Sequence, residues 1–378
     1  MLASIHFFPS LGLLLVGVLL EFYVVNALLA RGANAYRVWC GAIAAAALLG
    51  LGYLLEFARF AVFFPVNLAT WLNCAAIVEV VAFFLLAVRL AMPAARPADF
   101  QAQRRAFLQT SLAAGLVAVP ATVGGFGIVR RNRFQLSEVP VPIRGLAKDL
   151  DGLRIVQITD IHLSPFLSER EFARGIDMAN ETRAHLALVT GDLISRPGDP
   201  LDACLRQLAR LRADAGVIGC LGNHEVYTGT SDYVTSHGAR IGIDFLRSRA
   251  RLFRFGDAAI NFAGVDYQKF MHPYIRGAEK LIAPGATNIL LSHNPDVFPV
   301  AAQQGYDLTI SGHTHGGQVD VEILRQHVNV ARVYTPYVRG LYTLGKASAY
   351  VSTGLGTIGL PLRIGAPAEV SLLRLCAI

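Results

Sequence analysis

The sequence predicts a mixed α/β (α+β) domain preceded by an N-terminal multi-span transmembrane helical region. Three observations carry that expectation. Apolar residues crowd residues 1–129. From residue 134 to residue 378, short apolar strands alternate with helical patterns. Five of those strands end on polar residues of metal-ligand type. Over the whole chain, hydrophobic residues make up 53% and charged residues 16%, too apolar for an ordinary soluble protein.

Three apolar runs, Phe7–Ala30, Val38–Phe57 and Thr70–Leu90, each reach the roughly 20 residues a helix needs to cross a bilayer. Glu21, Glu56 and Glu79 fall inside them or at their ends. A carboxylate at that depth marks either a function or a partner at a headgroup or neighbouring helix. A fourth run, Ser111–Val129, is broken at Pro120. It follows Gln103-Arg104-Arg105-Ala106-Phe107-Leu108-Gln109, which resembles a twin-arginine export signal. Arg31 and Arg37 mark one loop as cytoplasmic, and the arginines from Arg89 to Arg105 mark another. The expectation is a multi-pass protein of a bacterial inner membrane with its catalytic domain extracytoplasmic, although Arg130, Arg131 and Arg133 weigh the other way. The net charge of +7 then reads as topology and contact with membrane lipids. No nucleic-acid motif is present, and no nucleic-acid partner is expected.

In the second part, Phe134–Ile143 alternates and reads as an edge strand, where Pro140 and Pro142 are tolerated. Leu153–Thr159 is a strand ending at Asp160-Ile161-His162. A helix over Glu169–Thr182 leads to a strand, Ala187–Thr190, that ends at Gly191-Asp192. A second helix, Leu201–Arg212, precedes the strand Val217–Leu221 and Gly222-Asn223-His224-Glu225. Asn288–Leu291 ends at Ser292-His293, and Leu308–Ser311 at Gly312-His313-Thr314-His315. Sites in open α/β sheets form beyond the carboxyl ends of strands. If the last stretch stays extended, alternation sends His313 and His315 to one face, about 7 Å apart.

Cys40, Cys74, Cys204, Cys220 and Cys376 form no C-x-x-C pair and no disulfide framework. The chemistry lies in Asp160, His162, Asp192, Asn223, His293, His313 and His315. Mixed imidazole and carboxylate donors suit Mn, Fe or Zn better than Ca or Mg. Seven donors exceed one tetrahedral zinc and suit two divalent ions sharing a carboxylate, about 3.5–4 Å apart. His224 follows a candidate ligand and is placed to act as general acid.

These motifs, in this order, resemble the calcineurin-like metallophosphoesterase superfamily: D-x-H, G-D, G-N-H-E/D, a lone H, then G-H-x-H. Asp151-Gly152-Leu153-Arg154-Ile155, Gly340-Leu341-Tyr342 and the stretch from Gly354 to Arg363 are similar to its bacterial membrane-anchored or exported phosphodiesterase branch. The resemblance implies a four-layer αββα sandwich. It also implies one metal on Asp160, His162 and His315, a second on Asn223, His293 and His313, Asp192 bridging both, and His224 beside the scissile phosphate. One departure is Ser195. The protein phosphatases of this superfamily have there an aspartate that orients the catalytic histidine, so protein phosphatase activity is not expected and another group must orient His224.

The expected activity is hydrolysis of a phosphodiester or pyrophosphate bond in a lipid-linked or envelope substrate. A narrower alternative is a UDP-diacylglucosamine-type pyrophosphohydrolase of lipid A synthesis, and the non-enzyme alternative is a membrane sensor or scaffold with a vestigial metal site.

Overall fold

Two six-stranded sheets build the second part of the chain. The computed structural model describes residues 4–57, 79–84, 86–87, 90, 122, 124–267, 275–323 and 326–378. These divide into two units, Met1–Gly125 and Phe126–Ile378.

In the second unit, the first sheet runs in the order β1 (Gln135–Ile143), β14 (Glu369–Ala377), β2 (Arg154–Ile158), β3 (Leu186–Val189), β4 (Val217–Gly219) and β5 (Ile243–Phe245). β1 does lie at the edge, where its two prolines break no ladder on the open side. β2 to β5 are parallel, and β14 is antiparallel to β2. β3 is buried at all four positions. A continuous apolar run is what a parallel strand covered on both faces requires.

The second sheet runs β12 (Gly340–Leu344), β13 (Ala347–Val351), β9 (Leu308–Ser311), β8 (Thr287–Leu291), β7 (Ala258–Gly264) and β6 (Arg249–Phe255). Its central strands β7, β8, β9 and β13 are parallel. A separate hairpin pairs β10 (Asp320–Ile323) with β11 (Gln326–Asn329).

Alternation along β2 shows how the layers stack. Ile155 points into the core between the sheets, with Leu188, Ile218, Phe262, Ile289 and Ile310. Val156 and Ile158 point the other way, onto Phe172, Ile176, Leu205 and Leu208 of the covering helices. The first of these helices, α3 (Glu169–Glu181), starts at a capping box: Ser168 Oγ accepts from the Glu171 N–H, and Glu171 Oε2 accepts from the Ser168 N–H. Phe172, Ile176 and Ala179 then recur at helical spacing and are fully buried. Removing the Phe172 ring costs about 3–5 kcal/mol. α4 (Leu201–Leu208) lies beside α3, while α5 (Asn223–Tyr227) and α6 (Ser231–Arg240) connect β4 to β5. On the outer face of the second sheet, α7 (Phe298–Gln304) and a short 3-10 turn enclose Ala263, Leu290, Val297, Ala301 and Tyr306. The order is therefore helix, sheet, sheet, helix.

The first unit corrects an expectation. Its helices α1 (Ser4–Ala30) and α2 (Ala35–Phe57) cover the first two apolar runs. Among the described residues, no helix is long and apolar enough to cross a membrane. The multi-span transmembrane region is therefore not supported, nor are the multi-pass inner-membrane location and the extracytoplasmic catalytic domain drawn from it. The physical reason is that an apolar run fits a helical core as well as lipid. Val24, Ala87 and Leu90 are buried together, with Leu20, Ala27, Leu28 and Phe83 packed against them. α1 also buries Glu21, and Arg31 Nη2 donates to the Leu90 carbonyl at 2.6 Å. Most of the third and fourth runs, the twin-arginine-like segment and Cys74 lie outside the described residues. The other four cysteines are free, as the absence of a paired spacing implies.

Candidate metal centre

The site grows from the carboxyl ends of β2, β3, β4, β8 and β9, each of which stops just before a candidate donor. Beyond those ends the backbone turns sharply. Asp160, His162, Asp192, His313 and His315 all have positive φ, between 46° and 77°. They are five of the eight non-glycine residues in that state among the described residues. Such a conformation costs of order 1–3 kcal/mol per residue and collects at functional sites. It also corrects the extended reading of His313 and His315. β9 ends at Ser311, His315 opens a 3-10 turn, and the two rings reach different neighbours.

Asp160, His162 and His315 form one group, and Asp192, His293 and His313 another; within each, one possible ligand atom per residue lies within 4.8 Å of the others. His162, Asp192 and His224 form a third, overlapping group by the same measure. Asp192 Oδ2 lies 3.0 Å from His293 Nε2, 3.5 Å from His162 Nε2 and 4.0 Å from His224 Nε2. Asp160 Oδ1 lies 3.4 Å from His315 Nε2 and 3.8 Å from His293 Nε2. His313 reaches the site through its ring, 5.1 Å from that of His293 between centroids, and its N–H donates to Asp160. Asn223 opens α5 directly before His224, whose N–H donates to Asp192 Oδ1 at 2.9 Å. All eight predicted residues thus lie around one pair of carboxylates.

Close approach at two glycines makes this possible. A Cβ on Gly312 would collide with the Asp160 carboxylate and the Thr159 hydroxyl, and one on Gly222 with the Asp192 carboxylate.

Burial and the mutual contacts of these groups set their charges. Burial works to raise the Asp192 carboxyl, but His293, His224 and His162 override it and hold it well below the usual carboxylate range. Burial raises Asp160, against a pull from His293. Burial pushes His162 and His315 down, and His313 to about 3, so these three imidazoles are neutral. His293 goes the other way. Burial opposes its charge, but Asp192 and Asp160 lift it to about 10. Its Nδ1–H donates to the Thr190 carbonyl at 2.7 Å, which aims Nε2 at Asp192.

The fit to metal can be tested on these contacts. Asn223 Oδ1 is buried with no hydrogen-bond partner among the described residues, a costly state for an amide oxygen unless a cation takes it. His162 Nε2 and His315 Nε2 face each other at 3.1 Å, both on neutral rings. Orphaned oxygen, converging imidazole nitrogens and two carboxylates make a donor set suited to a divalent transition metal.

Several contributors carried little or no sequence signal. Glu225 is fully buried, and its carboxylate accepts the N–H groups of Asp192, Leu193 and Gly222 at 2.7–3.0 Å. It ties the β3 and β4 ends together, and only its place in the G-N-H-E motif hinted at a role. Ser195 accepts from His224 Nδ1–H through its carbonyl at 2.7 Å, and its hydroxyl meets His162 Nδ1 at 3.1 Å. Tyr227 packs on the His224 ring and Tyr267 on the His313 ring, at 5.7 and 5.8 Å.

Residues 153–317 match the family model described as calcineurin-like phosphoesterase. Residues 153–317 thus form a calcineurin-like metallophosphoesterase domain. An uncharacterized metallophosphoesterase of Bacillus subtilis, YkuE, is 29% identical over 72% of this chain and 97% of its own length. Another from Campylobacter jejuni, Cj0846, is 31% identical over 64% of this chain and 63% of its own. A zebrafish (Danio rerio) protein described as a transmembrane protein with a metallophosphoesterase domain is 30% identical over 73% of this chain and 64% of its own. The chain thus spans just under two thirds of the Danio and Campylobacter relatives. Among solved structures, a Thermus thermophilus sulfate thiohydrolase, SoxB, aligns over 60% of this chain and 57% of its own at a TM-score of 0.37 and 16% identity. That likeness adds nothing to the functional reading of the metallophosphoesterase domain.

Proposed function

We propose that this chain is a dinuclear-metal phosphoesterase acting on phosphodiester or pyrophosphate bonds. The observation that carries the reading is Asp192. Its carboxylate stands between the two Asp/His groups, within 3.5 Å of an imidazole nitrogen from each. In this reading Asp160, His162 and His315 would hold one divalent ion, Asn223, His293 and His313 would hold the other, and Asp192 would serve both.

When bound, the two ions activate a water and neutralise charge on the phosphoryl oxygens. The remaining work falls to the protein. His224 keeps Nδ1–H on the Ser195 carbonyl and presents Nε2 to the centre. As the water oxygen bonds to phosphorus and the ester P–O bond breaks, His224 Nε2 would give a proton to the leaving oxygen, the attacking water would lose one to solvent, and solvent would return a proton to Nε2. Ser195, standing where protein phosphatases carry an acid, supports a substrate other than phosphoprotein. The retention of all seven donors argues against a vestigial site.

The test is steady-state hydrolysis of bis-p-nitrophenyl phosphate, p-nitrophenyl phosphate and a nucleoside diphosphate sugar, each with Mn2+. Diester or pyrophosphate turnover that exceeds monoester turnover supports the reading, and a strict monoesterase contradicts it. Lipid-linked substrates enter as a second panel, where a UDP-diacylglucosamine-type pyrophosphate tests the narrowest version.

A further inference from the structure

Arg363 is buried, yet among the described residues every hydrogen bond of its guanidinium goes to a main-chain carbonyl. Nη2 donates to Thr353 at 2.8 Å, to Gly354 at 3.1 Å and to Gly356. Nη1 donates to Ala366 at 3.0 Å, and to Pro367 and His315 at 3.4 Å. Burying a cation without direct ionic pairing is expensive, so its location needs a reason.

The reason lies in what those carbonyls belong to. The loop at 353–356 runs along the backbone of Asp160: the Leu355 N–H donates to the Thr159 carbonyl at 3.1 Å and the Gly356 N–H to the Asp160 carbonyl at 2.7 Å. Gly354, at φ +67°, comes so close that a Cβ there would stand 2.5 Å from Asp160 Cβ. The other end of the fork holds His315. One planar group therefore joins the backbone behind Asp160 to that of His315, two donors of the same group. Its charge cannot help a metal directly, since a cation beside a cation-binding group repels the incoming ion. What it contributes is geometry, through the rigid fork that distinguishes arginine from lysine.

We infer that Arg363 is a positioning residue that sets metal affinity at the Asp160–His162–His315 group and not at the His293–His313 group. This rests on the two-ion reading above. The experiment is Mn2+ stoichiometry and affinity, by equilibrium dialysis and elemental analysis, on the full chain and on R363K and R363M, with melting followed by circular dichroism. Wild type takes up two ions. Both variants keep one at wild-type affinity and bind the second at least about tenfold more weakly, a loss of geometry worth 1.4 kcal/mol. In the R363K/H315A double variant the two losses overlap, whereas R363K/H293A weakens both groups additively. Wild-type affinity for both ions in R363K and R363M overturns the inference, as does an equal weakening at both groups. Loss of the fold in R363K overturns it too, because the guanidinium would then hold the whole sandwich. A wild-type chain that binds a single ion overturns instead the two-ion reading.

Discussion

His224 turns Nδ1 onto the carbonyl oxygen of Ser195 at 2.7 Å. A carbonyl only accepts, so Nδ1 carries a proton and Nε2 is the atom left to exchange one with substrate. The carbonyl is itself held. Asp199, a buried carboxylate, accepts the N–H groups of Ser195 at 3.0 Å and Arg196 at 2.8 Å through Oδ2. The loop that aims His224 is therefore tied down by a side chain that never touches it.

Asp199→Ala should free that loop and slow turnover of esters with poor leaving groups by roughly 10- to 100-fold, the scale of a small misplacement of a catalytic group. A p-nitrophenyl diester, whose leaving group needs little protonation, should lose much less. Asp199→Asn, which keeps an oxygen acceptor, should stay near wild type. His224→Ala should cost roughly 10²–10⁴-fold on poor leaving groups. Equal losses on good and poor leaving groups in Asp199→Ala would disconnect Asp199 from the acid.

Glu225 is expected to be worth more to stability than to chemistry. Glu225→Ala strands three buried N–H groups and should cost about 3 kcal/mol or more, lowering Tm by roughly 10 °C for a domain of this size. Glu225→Gln should fall between, because its amide nitrogen cannot accept from the N–H it replaces an oxygen for. Thermal melts of the two variants check this order, and an unchanged Tm in Glu225→Ala would contradict it.

Much of the site was legible because the donors follow strands whose apolar runs end abruptly, as at Val189 before Asp192 and at Gly219 before Asn223. The orientation of His313 and His315 was not. Their left-handed φ accompanies contacts made only in the fold, where the His313 N–H donates to Asp160 and Asn329 Nδ2 donates to the Gly316 carbonyl next to His315. The orienter of His224 is a main-chain carbonyl, an atom every residue owns, so no side-chain signature could point to Ser195. Arg363 was visible as a basic residue in a glycine-rich stretch, but its carbonyl partners converge only in the fold. The N-terminal runs misled for a different reason: apolar length measures transfer out of water and does not say where that surface goes, since Val24 is buried with Ala87 and Leu90 while Leu19, Phe22 and Ile43 are exposed.

Metal uptake should release protons. In the metal-free protein His293 stays charged up to about pH 10, because Asp192 and Asp160 outweigh the burial that opposes its charge. A metal needs that nitrogen deprotonated. The sign follows: its folded pKa lies above the ordinary value near 6.5. The ionic contacts therefore stabilise metal-free protein below that value, and this contribution fades as pH rises through about 10. Metal affinity moves oppositely, rising about tenfold per pH unit below 10 for the ion held by His293. Calorimetric Mn2+ titrations at pH 7 and 8 in buffers of different ionisation enthalpy read both the affinity and the proton. Equal affinities with no proton released would contradict this assignment.

If one carboxylate serves two metal ions, Asp192→Asn should weaken the hold on both. The substitution preserves shape and removes only the charge that both groups share. Elemental analysis and diester turnover should be read on the same folded sample. Two Mn2+ ions should bind per wild-type chain, fewer than one should be held tightly in Asp192→Asn, and turnover should fall about 10³-fold or more, the scale of losing electrostatic stabilisation at the reacting phosphoryl group. Two ions retained in Asp192→Asn, with turnover within about tenfold of wild type, would contradict it.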